Sequence, residues 1–332
     1  MLREKVFKSE RARKQALLAG DLAAAHAAQV QKVNALRATG MLVPPGTIPT
    51  YLAAADLGAR TIRQIAATNA MALEDRVTCE NFEELKEFVG NLYGVDLSNT
   101  TLLRVPPEVL AELAGGELAE AMALSCGIDE HVVVLPNSGF QSYDLVAHEL
   151  GHAAEFTLRR QLDTDWCLFN RPIVSETTAY YAQFHHLLAY GNPTRRQGAL
   201  AAFLPAYLAT QYIFTADGGT RKAKDALKTE RFAAFKEADC YSLATLEALL
   251  RPFEDRPLVE TYCLPVEKLF SIPLALKLLY RPLYMRKLAI ANFHAPLDDI
   301  LRELELSPQD VLDFTNLDTP FDAFIAGHRL DQ

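Results

Sequence analysis

The chain has 332 residues and a formal charge of −9; half of its residues are apolar and 23% are charged. This composition can bury a sizeable core and excludes a low-complexity chain, while the acidic balance excludes the basic face that a nucleic-acid binder turns to phosphate. Five cysteines, at 79, 126, 167, 240 and 263, form no CxxC pair and read as reduced, buried thiols rather than a disulfide framework.

The N-terminal MLREKVFKSERARKQALLAGD begins charged and has no apolar stretch leading to a small-residue cleavage site, so no signal peptide is read there. Residues 3–38 predict one long helix, rich in alanine and leucine and interrupted only by Gly20. LVPPGTIP (42–49) breaks it, a second helix is expected over 51–75, and a third over 80–94 ends at a glycine. TTLLRV (100–105) has strand character, and PPEVLAELAGG (106–116) opens with prolines, as helix starts do. AEAMALSCGIDEHVVVLPNSG (119–139) reads as two strands around a GIDE turn, the second from His131 to Leu135.

After a helix through AHELGHAAEF, further helices are expected over 173–190, 199–213, 222–237, 242–251 and 265–290. Two short C-terminal helices follow, one opening at SPQD with Ser307 as its cap, and GNPTRRQG (191–198) and TADGGT (215–220) read as turns. The most apolar segment, LFSIPLALKLLY (269–280), is too short for a bilayer and holds a proline, so a soluble cytoplasmic protein with no membrane partner is expected. The fold class is mainly α with one small sheet before the histidine motif. Residues 1–115 read as a helical cleft wall or lid and 116–332 as the catalytic domain, or the two form one continuous domain.

His148-Glu149-Leu150-Gly151-His152 carries the chemistry. Positions i and i+4 share a helix face, so two imidazoles can meet one ion while Glu149 reaches a water beside it. The surrounding Leu145, Val146, Ala147, Leu150, Ala153 and Ala154 are apolar, so the histidines are partly buried and need partners. Gly151 weakens a helix, which makes sense where a backbone or a substrate comes close. A hydrolytic zinc site takes three protein ligands, and Glu176 in RPIVSETTAYYAQF is the candidate for the third, on an antiparallel helical return. Its alternative is a helix-start carboxylate serving the dipole. Glu155 competes less naturally as a ligand and is placed behind the site or at the surface. Asp144 either orients His148 by hydrogen bonding or is an N-terminal helix acid. With one Zn²⁺ so held, an activated water would attack an amide carbonyl, Glu149 acting as general base.

HVVVLPNSGFQSYDLVAHELGHAAEF followed by VSETTAYYAQF resembles the catalytic core of the thimet oligopeptidase and oligoendopeptidase F peptidases, gluzincins with HExxH and a downstream glutamate, over about residues 118–186. The resemblance implies a mostly helical zincin-like fold around a deep cleft, one zinc ion and cleavage of short unstructured peptides. His148, His152 and Glu176 match the zinc ligands and Glu149 the base. Val132, Val133, Val134 and Leu135 match the strand that lies along the bound peptide. Tyr280 and Tyr284 stand where the family has tyrosines that stabilise the transition state, with core packing as their alternative. The chain departs from the family in carrying Leu274 where a histidine is expected, in lacking the Gly-Tyr pattern, and in being shorter; a narrower cleft and a restricted substrate follow.

Three other readings use the same residues. Two histidines and a carboxylate also suit non-haem iron chemistry, although Glu149 has no obligatory role there. The scaffold could serve as a binding protein that has lost its chemistry, which the missing late histidine favours and Glu149 opposes. It could also be a short zincin working with a regulator. The oligomeric state is not encoded in any feature of the sequence.

Overall fold

A computed structural model describes residues 2–40, 79–114, 120–137, 141–169, 171–201, 203–217, 222–233, 243–254, 269–312 and 317–328. The helix expected over 51–75 lies outside the described residues. The one expected over 3–38 is two helices, α1 (Leu2–Leu18) and α2 (Leu22–Arg37). Gly20 takes a left-handed φ of +73°, and Asp21 caps α2 by accepting from the Ala24 amide at 2.9 Å. The helices fold back on one another through Ala16, Leu17 and Ala25.

The third helix, α3 (Cys79–Tyr93), ends at Gly94 as expected. Then come β1 (Thr101–Val105), α4 (Pro107–Leu113), β2 (Met122–Leu124) and β3 (Val132–Pro136). The strands form one sheet in the order β1-β3-β2. β2 and β3 are the expected antiparallel hairpin, with Met122 opposite Val134, while β1 runs parallel to β3 with Thr101 opposite Val132. Because β1 lies before residue 115 and β3 after it, the sheet runs across the expected domain boundary.

This order bears on the expected peptide contact. Val132, Val133 and Val134 have a neighbouring strand on both edges, and Leu135 has β1 on one. Val132–Val134 therefore have no unpaired edge for an added peptide strand, and all four side chains are buried. Among the described residues the outer edge of β2 pairs with no strand.

The motif lies on α5 (Tyr143–Arg160), capped by Ser142, whose hydroxyl accepts from the Leu145 amide at 3.3 Å. A short 3-10 turn, Asp165–Leu168, leads to α6 (Pro172–Tyr190), which starts on a proline as helices tolerate. α5 and α6 pack along their length around Val146, Leu150, Ala153, Ala154, Ala182 and Phe184, all fully buried. Gly151 is the reason they can. A Cβ there would stand 2.7 Å from Ala179 Cα and 3.1 Å from the Thr178 carbonyl oxygen, closer than packing allows, so the glycine sets the spacing of the two helices.

GNPTRRQG, expected as a turn, starts α7 (Pro193–Leu200): Asn192 accepts from the Arg195 amide at 3.0 Å, and Pro193 takes the first helical position. The helix expected over 199–213 is α8 (Phe203–Asp217). The one expected over 222–237 is shorter, with Ala223–Ala226 helical and a 3-10 turn at Glu230–Phe232; residues 234–242 lie outside the described ones. Leu243–Leu250 is helical as expected. The long helix expected over 265–290 is divided: residues 269–278 are helical, and a new helix, Pro282–Ala289, starts where proline has no amide to continue the first. Near the C-terminus Leu297–Glu303, Pro308–Leu312 and Asp318–Ala326 are helical, one more than expected. Ser307 is the expected cap, its hydroxyl accepting from the Asp310 amide at 3.2 Å. No helix among the described residues is long and apolar enough to cross a membrane. Cys126 and Cys167 are buried free thiols.

Candidate metal centre

α5 and α6 run antiparallel, so that His148 meets Gln183 while His152, one turn later, meets Ser175. Between these contacts the ligand atoms of His148, His152 and Glu176 lie within 4.8 Å of one another, a group that could hold a metal ion. His148 Nε2 and Glu176 Oε2 are 3.6 Å apart. Two ligands at ~2.1 Å from one tetrahedral zinc ion stand ~3.4 Å apart, so the pair sits at the spacing of partners on a shared ion.

Hydrogen bonding behind the imidazoles fixes which nitrogen carries the proton. Gln183 donates its amide N–H to Asp144 Oδ2 at 2.8 Å, which turns its carbonyl oxygen to His148 Nδ1 at 3.1 Å. That oxygen can only accept, so His148 carries its proton on Nδ1 and keeps a lone pair on Nε2. Ser175 donates its single hydroxyl proton to Glu155 Oε2 at 2.9 Å and is left to accept from His152 Nδ1 at 3.0 Å. Both histidines are thus held as the tautomer with the proton on Nδ1 and the lone pair on Nε2, through relays that end on carboxylates, as metal-bound histidines are. Each carboxylate has its own guanidinium: Arg195 stands 3.2 Å from Asp144, and Arg159 is 3.5 Å from Glu155.

The local field favours a cation. Burial works against a charged His148, but Glu176, Glu149 and Gln183 together outweigh it and push its pKa up. Surroundings that favour a proton there also favour a metal ion. Burial likewise raises the Tyr180 phenol, with the charges of Glu176 and Glu149 adding to the effect. Its ring meets His148 edge-on at 4.7 Å, and the phenol stays a proton donor beside the two carboxylates. Burial raises Glu155 to about 6 in spite of Arg159 and Ser175.

Each residue singled out in the sequence has a place. Glu149 is buried on α5 beside His148, and its charge acts on both His148 and Tyr180. Asp144 reaches His148 through Gln183, not directly, and Glu155 reaches His152 through Ser175. Tyr280 is half-buried against the main core, and Leu274 is fully buried. Tyr284 lies between Arg281 and Lys287, at 5.6 and 5.2 Å, and hydrogen-bonds Glu305. His185 bonds the Leu279 carbonyl at 2.7 Å, and His186 packs edge-on against Phe88.

Ser175, Tyr180 and Gln183 were not singled out from the sequence. Their signal is positional: Tyr180 and Gln183 follow Glu176 by one and two helical turns on its own face, and Ser175 precedes it. No family model, curated protein or solved structure matches the chain.

Proposed function

We propose that this protein is a metal-dependent peptidase of the gluzincin type, most simply a zinc enzyme, acting on short or specialised peptides. The observation that carries the reading is the convergence of His148, His152 and Glu176 with both imidazoles locked as Nδ1–H tautomers. When bound, the ion would supply Lewis acidity toward water and the substrate carbonyl. The remaining work belongs to the chain. Glu149 takes a proton from the attacking water and returns it to the leaving amide nitrogen. Tyr180, a protonated donor next to Glu149 and Glu176, is placed to stabilise the developing oxyanion, in the role that the resemblance assigns to Tyr280 and Tyr284. Gln183 and Ser175 keep the imidazoles from rotating out of position. The same donor set would also hold iron, but a carboxylate adjacent to the first histidine favours hydrolysis.

The test is a mixed pool of short peptides read by mass spectrometry, with metal content measured on the same samples. Wild-type protein is expected to cleave and to carry about one ion per chain. Glu149→Gln should keep the ion and lose activity by about 10²- to 10⁴-fold. Metal-loaded wild type that cleaves nothing in the pool would sink the general peptidase reading. Cleavage that persists undiminished in Glu149→Gln would remove Glu149 from the mechanism.

A further inference from the structure

A second polar cluster sits at the other end of the motif helix. Glu10, fully buried on α1, accepts two hydrogen bonds from Arg160, at 2.6 and 2.8 Å, and one from Ser125 at 2.8 Å. Lys32 stands 2.7 Å from the same carboxylate. Arg13, buried alongside, donates to the Ser125 carbonyl at 2.9 Å and to Gln29, both neutral partners. Two cations, Arg160 and Lys32, therefore share one carboxylate while Arg13 bonds neutral oxygens beside them, a local excess of positive charge over Glu10 in a chain whose formal charge is −9. Burial holds the Lys32 ammonium down at about 8 against the pull of Glu10, and Arg13 and Arg160 lower it further. Buried charge left unmatched in this way is costly unless something else balances it.

Arg13, Lys32 and Arg160 all line a cavity of about 550 Å³ between α2, α4, β2 and the end of α5, and Glu112 of α4 is the one carboxylate among the residues that line it. Met122, Ala123, Leu124 and Ser125 line it too. Side chains along a strand alternate between faces, so four consecutive residues can border one cavity only where it lies along the strand's edge. That edge is the outer one of β2, which pairs with no strand among the described residues. Phe156 completes the wall and stacks on His152 with ring centroids 6.4 Å apart. His148, His152, Phe156 and Arg160 fall at four-residue spacing on one face of α5. Phe156 thus touches both the cavity and His152, while no candidate metal ligand itself lines the cavity.

We infer that this cavity binds a carboxylate carried by an extended peptide that lies along the outer edge of β2. Arg13, Lys32 and Arg160 outnumber Glu10 and Glu112 and supply the anion site, and the outer edge of Met122–Leu124, which pairs with no strand among the described residues, supplies strand hydrogen bonds. His152 and Arg160 are eight residues apart on α5, about 12 Å along its axis. About four residues of extended chain cover that distance, so the carboxylate would sit three or four residues from the bond to be cut. This last step rests on the peptidase reading above; the binding does not.

The test measures binding alone. Calorimetric titrations of the Glu149→Gln protein, which leaves peptides intact, would use three alanine- and leucine-based hexapeptides. One has a free C-terminus, one a C-terminal amide, and one an amide plus an internal glutamate. A peptide with a carboxylate is expected to bind about fivefold or more tighter than the neutral amide. The comparison of the two carboxylate peptides tells which source the cavity prefers. The preference should fall by at least half in Arg13→Gln, and Lys32→Gln serves as the second variant if the first does not fold. A smaller preference in the parent protein, or one that neither substitution halves, overturns the inference. The parent series decides it even with no variant. Neutral peptides cleaved by the wild type would leave the peptidase standing in that case, while a strong carboxylate preference with no cleavage would leave the cavity standing and remove the peptidase.

Discussion

The two ends of α5 handle charge in opposite ways. Around the histidines each carboxylate behind the site has one guanidinium of its own, Asp144 with Arg195 and Glu155 with Arg159. The pairing neutralises the outer ring of groups and leaves the inner one, His148, His152, Glu176 and Glu149, with a net preference for a cation. Twelve residues on from His148, Arg160 shares Glu10 with Lys32 while Arg13 has neutral oxygens for partners, so three cations face Glu10 and the Glu112 that lines the same cavity, the balance on which the proposed anion site rests. One helix face accordingly runs from a cation site to an anion site. A peptide carries both a polarisable carbonyl and a carboxylate, which is why it is the ligand class we propose for the two ends.

The comparison breaks most readily at the anion end. Glu10→Gln removes the carboxylate that Arg160 and Lys32 share and should cost about 3–5 kcal/mol of stability, because breaking a buried pair strands the partner charge. Urea unfolding measures this, with metal content expected to be unchanged. A loss under about 1 kcal/mol would mean that the cations are not held by Glu10, and that the cluster is not the latch between α1 and α5.

A smaller effect sharpens the cation end. Gln183→Leu keeps the volume but removes the acceptor of His148 Nδ1–H, and Ser175→Ala does the same for His152. Each should weaken metal binding by about 10- to 100-fold, read by competition with a chelator, with little change in unfolding. Unchanged affinity would assign the orientation of the rings to Tyr180 and Phe156, which pack against them.

How much of this the sequence carries depends on whether the signal is local. The His148–His152 pair and Glu176 were legible because one helix fixes the first spacing and a helical return allows the second. The break at Gly20 and the start of α7 at Asn192 were also encoded locally, in Gly-Asp and Asn-Pro, but alanine-rich periodicity and a dense run of turn residues concealed them. The place of β3 in the middle of its sheet was not legible, since its second neighbour, β1, lies about thirty residues earlier and strand pairing is tertiary. Nor were Gln183 and Ser175. Both lie on the Glu176 helix, but their use depends on how α6 is rotated against α5, and the contact at Gly151 decides that.

His131 gives the smallest effect and a test of the hinge between the two ends. Its Nδ1 accepts from the Cys126 amide at 3.1 Å, so its one proton is on Nε2, facing Thr157 Oγ1 at 3.0 Å. A second proton would break the Cys126 bond, and burial, helped by the charge of Arg160, holds the pKa down at about 3. The unfolded chain takes that proton near pH ~6.5. The stability due to neutral His131 is therefore complete above the unfolded value and is lost as pH falls from there toward about 3. Glu10, drawn down to about 2 by Arg160 and Lys32 against the effect of burial, loses its contribution only below the ordinary carboxylate range, so the interval from pH ~6.5 to ~5 is free of it. His185 and His186, also lowered by burial, act in the same direction as His131, and His148 opposes them. The difference between wild type and His131→Gln isolates one ring. Wild type should lose about 1 kcal/mol more than the variant over the first pH unit below ~6.5. Parallel curves would mean that the folded protein accommodates a protonated His131, and that the Cys126 bond does not tie β3 to the Arg160 cluster as the geometry requires.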